Sequence, residues 1–177
     1  MTFKNFKIET DADGIALVTW DIPGKSMNVL DTETIEELSA IVDQTTADAA
    51  VKGVVVTSGK EAFSAGADLS MLEGMNKLFA ETAKAKGKDA ATQMLFDESR
   101  KLSQTFRKLE TCGKPWVAAI NGLALGGAFE LTLACHYRVA SDNPKTRLGL
   151  PEVKVGLFPG GGGTQRLPRM MPAQDAL

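Results

Sequence analysis

The sequence predicts an α/β fold. Short β-branched or apolar segments of strand length alternate with longer segments in which apolar residues recur at helical spacing. Glycine-rich turns separate several of these segments, and neither a linker nor a tandem repeat divides the 177 residues. This length is enough for one domain with a sizeable core.

The N-terminal part is predicted to be a hairpin followed by a helix and a buried strand. Phe6–Thr10 and Ile15–Asp21 flank the turn sequence DADG and are expected to pair. Asp31 is a suitable N-cap for a helix whose apolar residues fall on one face. The segment KGVVVTSG, residues 52–59, has the β-branched composition of a buried strand.

The remaining chain continues the alternation. Residues 71–112 are expected to form two helical parts, each with an apolar stripe, around a polar and mobile KAKGKDA segment. PWVAAI, residues 115–120, is predicted to be a buried strand, and an apolar helix is expected to begin at Gly126–Gly127. Tyr137–Ser141 is a further strand, and RLGLPEVKVGLFPGGGGTQR is interpreted as a loop, a glycine-rich turn and a helix start.

The composition disfavours several classes of function. A net charge of −2 lacks the basic surplus of a nucleic-acid or anionic-membrane binder, and no apolar run approaches the length of a membrane span. Cys112 and Cys135 have no metal or redox spacing and indicate thiols in a reducing, cytoplasmic compartment. With His136 as the only histidine, neither a Ser-His-Asp triad nor a metal site is expected. Arg166 and Arg169 are expected at the surface or a partner contact rather than at a phosphate.

Two glycine-rich turns are candidates for binding an oxygen that becomes negatively charged. Gly126 and Gly127 stand where a helix begins, so unpaired backbone N–H groups and the helix dipole are available there. The loop SAGAD, residues 64–68, can supply a second N–H from Ala67. Two converging backbone donors would form an oxyanion hole. The alternative is that small residues only permit tight turns and close packing.

Two glutamates stand in otherwise apolar segments. Glu130 lies about one helical turn beyond Gly127 and can project near the same helix end. Glu152 follows a proline in LGLPEVKVG. Apolar surroundings disfavour a charged carboxylate, which suits such a group to proton transfer. A buried ion pair or a helix-cap contact is the alternative for either residue.

Three motifs follow one another along the chain: AFSAGADLSML, PWVAAINGLALGGAFELTLACHYRVAS and LGLPEVKVGLFPGGGGTQRLPR. Together they closely resemble the enoyl-CoA hydratase/isomerase family, the crotonases, from about Phe6 to about Arg169. The resemblance implies a spiral of β-β-α repeats and a homo-oligomer built on trimers. Because the family domain continues past the third motif, residues 1–177 are interpreted as a single crotonase-like domain whose C-terminal helices are missing.

The resemblance also implies roles for individual residues. The N–H groups of Ala67 and Gly127 match the oxyanion hole that binds the thioester carbonyl of an acyl-CoA. Glu130 and Glu152 match the two catalytic glutamates, which together hold the attacking water. Glu130 is expected to act as base toward the water, and Glu152 to exchange a proton at the α-carbon. The positions expected to bind the substrate are Ser26, Met27, Ala65, Gly66, Asp68, Leu69 and Gly160.

Retention of both glutamates implies an enoyl-CoA hydratase of fatty-acid β-oxidation, which needs no cofactor because the coenzyme A thioester is its substrate. The long segment 71–112 and PGKSMNVLD resemble the hydratase domain of multifunctional fatty-acid oxidation proteins. NAD would then belong only to a dehydrogenase region outside this chain. Two alternatives stay open: a Δ3-Δ2 enoyl-CoA isomerase, which needs one proton-shuttling glutamate, and a non-catalytic acyl-CoA-binding or assembly fragment.

Overall fold

Strands and helices alternate along residues 2–176, the part of the chain that this computed structural model describes. In chain order the strands are Phe6–Thr10 (β1), Ile15–Trp20 (β2), Gly53–Ser58 (β3), Trp116–Ile120 (β4), Leu123–Leu125 (β5), Tyr137–Ala140 (β6) and Arg147–Gly149 (β7). The helices are Thr32–Ala47 (α1), Leu69–Lys86 (α2), Lys88–Thr111 (α3), Gly127–Ala134 (α4), Gly163–Met170 (α5) and Ala173–Ala176 (α6), with a 3-10 turn at Glu152–Val155.

The main sheet has the strand order β1-β2-β3-β4-β6. The β1–β2 hairpin is antiparallel, and the other neighbours pair in parallel. Parallel neighbours need crossover connections, which α1, the α2–α3 pair and α4 provide. The predicted α/β class is therefore confirmed.

One face of the main sheet forms the core with α1, α3 and α4. Trp20 and Trp116 are fully buried there. The predicted N-cap is also confirmed, because the side chain of Asp31 accepts a hydrogen bond from the Thr34 N–H at 2.8 Å. The apolar face of α1 contributes Ile35, Leu38, Ile41 and Val42 to the same core.

The α2–α3 connection corrects the prediction for KAKGKDA. This segment is helical except at Gly87, whose positive φ of 88° ends α2 and whose carbonyl begins α3. The prediction was wrong because the polar residues on either side of Gly87 are good helix formers on a solvated face. Glycine supplies the left-handed backbone that a sharp reversal between two helices requires.

The apolar stripe of α2 is not buried in the core, although Met71 packs against it. None of the helix residues is fully buried, and Met71, Leu72 and Met75 instead line a cavity between α2 and α3. A helical period of apolar residues shows which face is apolar, whereas burial depends on what lies opposite. Among residues 2–176 no helix combines the length and the apolar character needed to cross a membrane.

A second, smaller layer of parallel pairing lies beside the main sheet. β5 pairs with β7, and single bridges join Ser64 to Ala124 and Leu30 to Ala67. Four chain segments therefore run side by side, although each is very short. Two of the glycine-rich turns that the sequence singles out, at Gly66 and at Gly126–Gly127, lie in this layer, and Gly126–Gly127 follows the carboxyl end of β5, the end at which ligands bind in open parallel sheets.

Candidate active site

Two residues that line one cavity have backbone N–H groups without an acceptor among residues 2–176. In the bridge beside Ala67, Leu30 bonds the Gly66 carbonyl at 2.8 Å and the Asp68 N–H at 2.9 Å. The N–H of Ala67 consequently faces away from Leu30, and within residues 2–176 it donates to nothing. The N–H of Gly127, in the first turn of α4, is likewise unpaired in the described chain, and both residues line the same cavity.

Glycine at position 66 permits the close approach of these two segments. Its φ is +99°, and an added Cβ would lie 2.8 Å from the Leu125 carbonyl oxygen and 3.6 Å from the Gly126 Cα. A side chain here would both strain the backbone and push apart the two segments that carry Ala67 and Gly127. Gly66 is thus required for close packing against Leu125, and it also directly precedes Ala67, whose N–H is unpaired.

The cavity has a volume of about 320 Å³ and a mostly apolar wall. Its lining includes the residues of the two unpaired N–H groups and the carboxylates Glu130 and Glu152, with Glu98 and Lys101 of α3 as further charged residues. The remaining lining comes mainly from α2 and α3 and from the loop before α5, including Met71, Leu72, Met75, Leu102, Leu157, Phe158 and Gly160.

Glu130 is almost completely buried, at 1% exposure, yet no basic side chain contacts it among the described residues. Its Oε2 accepts a hydrogen bond from the Gly161 N–H at 2.9 Å, and its Oε1 accepts one from the Gly163 N–H at 2.7 Å. Glu130 therefore contacts the N-terminus of α5, the helix-cap alternative that its sequence pattern left open. Because each carboxylate oxygen has a second lone pair, this contact still leaves Glu130 able to bind a water.

Glu152 differs from Glu130 because one of its carboxylate oxygens lacks a hydrogen-bond donor among residues 2–176. It begins the 3-10 turn beside Gly126, where an added Cβ would lie 3.2 Å from its Oε1. Its Oε2 is buried and has no hydrogen-bond partner within residues 2–176. Burial raises the pKa of Glu152 above the ordinary value of 4.5, a backbone hydrogen bond opposes the rise, and the charge of Glu130 adds to it.

The raised pKa of Glu152 predicts a pH-dependent gain in stability for Glu152→Gln. The folded state binds the proton more tightly than the unfolded chain, so ionisation costs stability as the pH rises from 4.5 through the raised value. Glutamine removes that cost. The Tm of the variant is expected to exceed that of the wild type at about pH 8 and to match it at about pH 4. Thermal melts at both pH values check this.

The exposed Glu61 provides the control for these melts. Its only ion pair, within the described chain, is with the exposed Lys145 at 3.0 Å. Glu61→Gln is expected to change the Tm by little at either pH, because exposed ion pairs contribute little stability. A Glu152→Gln variant that melts below the wild type at high pH would contradict the assigned cost of burying this carboxylate.

Some of the other predicted substrate-binding residues line a cavity, and others do not. Ala65, Asp68 and Leu69 line a cavity that adjoins the first one at Ala67, Gly127 and Glu152. The carboxylate of Asp68 caps α2 through the Ser70 N–H at 2.9 Å and pairs with Lys25 at 3.2 Å. Ser26 and Met27 lie in the loop after β2 and line neither of these two cavities.

Sequence reasoning missed the donors that hold Glu130 and the residue behind them. Gly161 and Gly163 were interpreted as part of a glycine-rich turn and helix start whose backbone N–H could position a water or a carbonyl, not as donors to Glu130. Arg166, expected at the surface or a partner contact, is 12% exposed and pairs internally with Glu110 at 3.2 Å. Four consecutive glycines followed closely by an arginine were the available signal, but nothing local identifies the partners.

Comparison with known proteins agrees with this architecture. The enoyl-CoA hydratase/isomerase family profile matches residues 10–177. The chain, an α/β protein, therefore belongs to the enoyl-CoA hydratase/isomerase family.

Individual relatives with high sequence identity come from bacterial fatty acid oxidation complexes. Over 98% of its length the chain is 49% identical to the fatty acid oxidation complex subunit alpha of Shewanella amazonensis and 47% identical to that of Idiomarina loihiensis. It spans 23% of the length of each of these relatives. The crystal structure of an enoyl-CoA hydratase from Bacillus anthracis matches 97% of this chain and 60% of its own, with 32% identity and a TM-score of 0.80.

Proposed function

We propose that this chain catalyses the addition of water to a trans-2-enoyl-CoA, giving a 3-hydroxyacyl-CoA in fatty-acid β-oxidation. The observation that carries the proposal is the common cavity of two unpaired N–H groups, from Ala67 and Gly127, and two carboxylates, from Glu130 and Glu152. Family membership and the names of the relatives support the same reaction.

The N–H groups would act on the thioester oxygen. When water adds to the conjugated double bond, negative charge develops on that oxygen in an enolate-like state. Donors that are already in place at the cavity wall would stabilise this charge without reorganisation, which is worth a few kcal/mol for each donor. No metal ion or organic cofactor is needed for this chemistry.

The two glutamates would divide the proton transfers. Glu130, held by two backbone donors, accepts the proton of the water whose oxygen bonds to the β-carbon. Glu152, whose pKa is raised by burial, supplies the proton that bonds to the α-carbon. Each turnover thus consumes one water, and a proton must then pass from Glu130 to Glu152 to restore the starting state.

The rest of the substrate would occupy the two adjoining cavities. The apolar wall formed by Met71, Leu72 and Met75 suits an aliphatic acyl chain. The second cavity, beside Ala65 and Asp68, would take the coenzyme A portion. Gly160 lines the first cavity and Leu69 the second, whereas Gly66 lines neither and stays a predicted substrate contact. Ser26 and Met27 remain predicted coenzyme A contacts outside both cavities.

Δ3-Δ2 enoyl-CoA isomerisation is a second candidate, which the unequal glutamates favour. Isomerisation needs one carboxyl group that removes a proton from one carbon and returns it to another. Glu152 has a buried oxygen without a partner among the described residues, whereas both oxygens of Glu130 already accept backbone hydrogen bonds. The same oxyanion hole would serve both reactions.

Crotonyl-CoA tests the proposal. Hydration is expected to abolish the absorbance of the conjugated enoyl thioester and to yield 3-hydroxybutyryl-CoA, identified by mass. An isomerase without hydratase activity would leave crotonyl-CoA unchanged and would generate conjugated absorbance from a 3-enoyl-CoA. Binding of acyl-CoA without either reaction would identify a non-catalytic module and contradict the proposal.

The names of the relatives suggest the larger protein and the compartment in which the chain acts. We infer that the chain acts as the hydratase part of a multifunctional β-oxidation protein in the cytoplasm, because its relatives are named as alpha subunits of a fatty acid oxidation complex. A dehydrogenase region of such a protein would bind NAD outside this chain. A trimer-based homo-oligomer is the alternative assembly, and light scattering of the purified protein distinguishes the two.

A further inference from the structure

Gly161 is hydrogen-bonded on both sides of its backbone. Its N–H donates to Glu130 Oε2 at 2.9 Å, and its carbonyl oxygen accepts from Arg166 Nη1 at 2.9 Å. Two residues later, the Gly163 N–H donates to Glu130 Oε1 at 2.7 Å. The loop 159–163 therefore lies between a buried carboxylate and a guanidinium that does not touch that carboxylate.

The guanidinium is itself held from α3. Arg166 Nε and Nη2 contact Glu110 Oε1 at 3.2 Å and Oε2 at 3.3 Å, which is the two-point geometry of a bidentate pair. Burial alone would raise the pKa of Glu110, but hydrogen bonds from Arg166 and Arg107 lower it, so the carboxylate is ionised at neutral pH. The neighbouring Leu109 is fully buried in the core, so Glu110 is fixed to a rigid element.

The loop is shaped around these contacts. An added Cβ at Gly161 would lie 2.7 Å from Glu130 Oε2 and 2.8 Å from the Phe106 ring. Gly162 has a φ of +101°, and its added Cβ would lie 2.5 Å from Arg166 Nη1. A backbone this close to both side chains cannot shift without moving the donors of Glu130.

We propose that Arg166, held by Glu110, is a positioning residue for Glu130. This inference rests on the proposed hydratase function, in which Glu130 acts on the water. Arg166 fixes the Gly161 carbonyl and thereby aims the N–H groups of Gly161 and Gly163 at the Glu130 carboxylate. Glu130 has no other hydrogen-bond donor within residues 2–176, so its orientation depends on this loop.

A double-mutant cycle on crotonyl-CoA hydration tests the proposal. Arg166→Met is expected to lower kcat by about 10- to 100-fold with KM within about twofold, because a carboxylate displaced by about 1 Å loses that much rate. In a Glu130→Gln background the same change is expected to lower kcat by less than about twofold, since Arg166 acts only through Glu130. A general structural role would lower kcat equally in both backgrounds.

Arg107→Met is the matched control. Arg107 contacts the same Glu110 Oε2 at 2.7 Å, but it has no hydrogen bond to the loop. Its loss is expected to leave kcat within about twofold of the wild type. Glu110→Gln keeps the side-chain volume and carries the test if Arg166→Met does not fold; it is expected to lower kcat less, in the same Glu130-dependent manner.

Amide hydrogen exchange separates failure of this inference from failure of the proposed function. Exchange of the Gly161 and Gly163 amides is expected to be at least about tenfold faster in Arg166→Met than in Arg107→Met. If the wild type hydrates crotonyl-CoA and Glu130→Gln does not, an unchanged kcat in Arg166→Met overturns the inference alone. If the wild type does not turn over, the proposed function fails, and unchanged amide exchange would overturn the positioning of the loop as well.

Discussion

Replacing Glu152 by glutamine is expected to lower kcat for crotonyl-CoA hydration by about 10²- to 10⁴-fold, the usual range for loss of a general acid–base group. Glutamine keeps the size of the side chain but cannot transfer a proton to the α-carbon. The change should therefore reduce kcat far more than it raises KM. Initial rates of absorbance loss, measured over a range of crotonyl-CoA concentrations, give both parameters.

The same substitution is expected to stabilise the protein near pH 8, so loss of activity cannot be attributed to unfolding. Glu61→Gln again serves as the control, since it removes an exposed carboxylate and should keep the wild-type kcat. Full hydratase activity in Glu152→Gln would remove this residue from the mechanism. Activity that also persists in Glu130→Gln would exclude the two-glutamate assignment altogether.

Gly66→Ala is expected to reduce kcat/KM by about 10²- to 10³-fold, comparable to the loss of one oxyanion-hole donor. The added methyl group would meet the Leu125 carbonyl oxygen at 2.8 Å and must occupy a φ of +99°. Relief of this contact separates the Ala67 N–H from the Gly127 N–H, so the thioester oxygen can no longer contact both. Backbone strain should also lower the free energy of unfolding by about 1–3 kcal/mol.

Gly113→Ala separates strain from displacement. Gly113 has a similar φ of +80° in the turn after α3, but its added Cβ meets no atom within 4 Å. It should show a comparable loss of stability in denaturant melts, with kcat/KM within about twofold of the wild type. Equal activity losses in the two variants would mean that backbone strain, rather than the geometry of the donors, limits the reaction.

Local chemistry was sufficient to predict many of the larger elements. The turn DADG fixes the β1–β2 hairpin, and Asp31 fixes the start of α1, because each contact lies within a few residues of the sequence. β5 and β7 were not predicted. Each has three residues, and they are strands only because they pair with each other and because β5 also bridges to Ser64. No local pattern encodes such a partner.

In the candidate site, too, features set by the local sequence were predicted, whereas those that depend on distant residues were not. The unpaired donors at Ala67 and Gly127 follow from turns and helix starts, which the sequence displays directly. The position of Arg166 depends on Glu110, which is 56 residues away, so its interpretation as an exposed surface residue was wrong, whereas a partner contact stays a prediction. The stripe of α2 was predicted correctly as apolar, yet only the fold decides whether it faces other side chains or a cavity.

The pairing of β5 with β7 has a consequence for how this protein can change over evolution. Leu125 is opposite Gly149, and the Gly126 N–H bonds the Gly149 carbonyl at 2.9 Å, three residues before Glu152. A slip of β7 by one residue against β5 would shift Glu152, which follows β7, by about 3.3 Å. It would also turn every side chain of β7 to the opposite face of the sheet. The preceding loop, residues 141–146, is exposed apart from Thr146, so it can gain or lose residues as long as the strands keep their alignment.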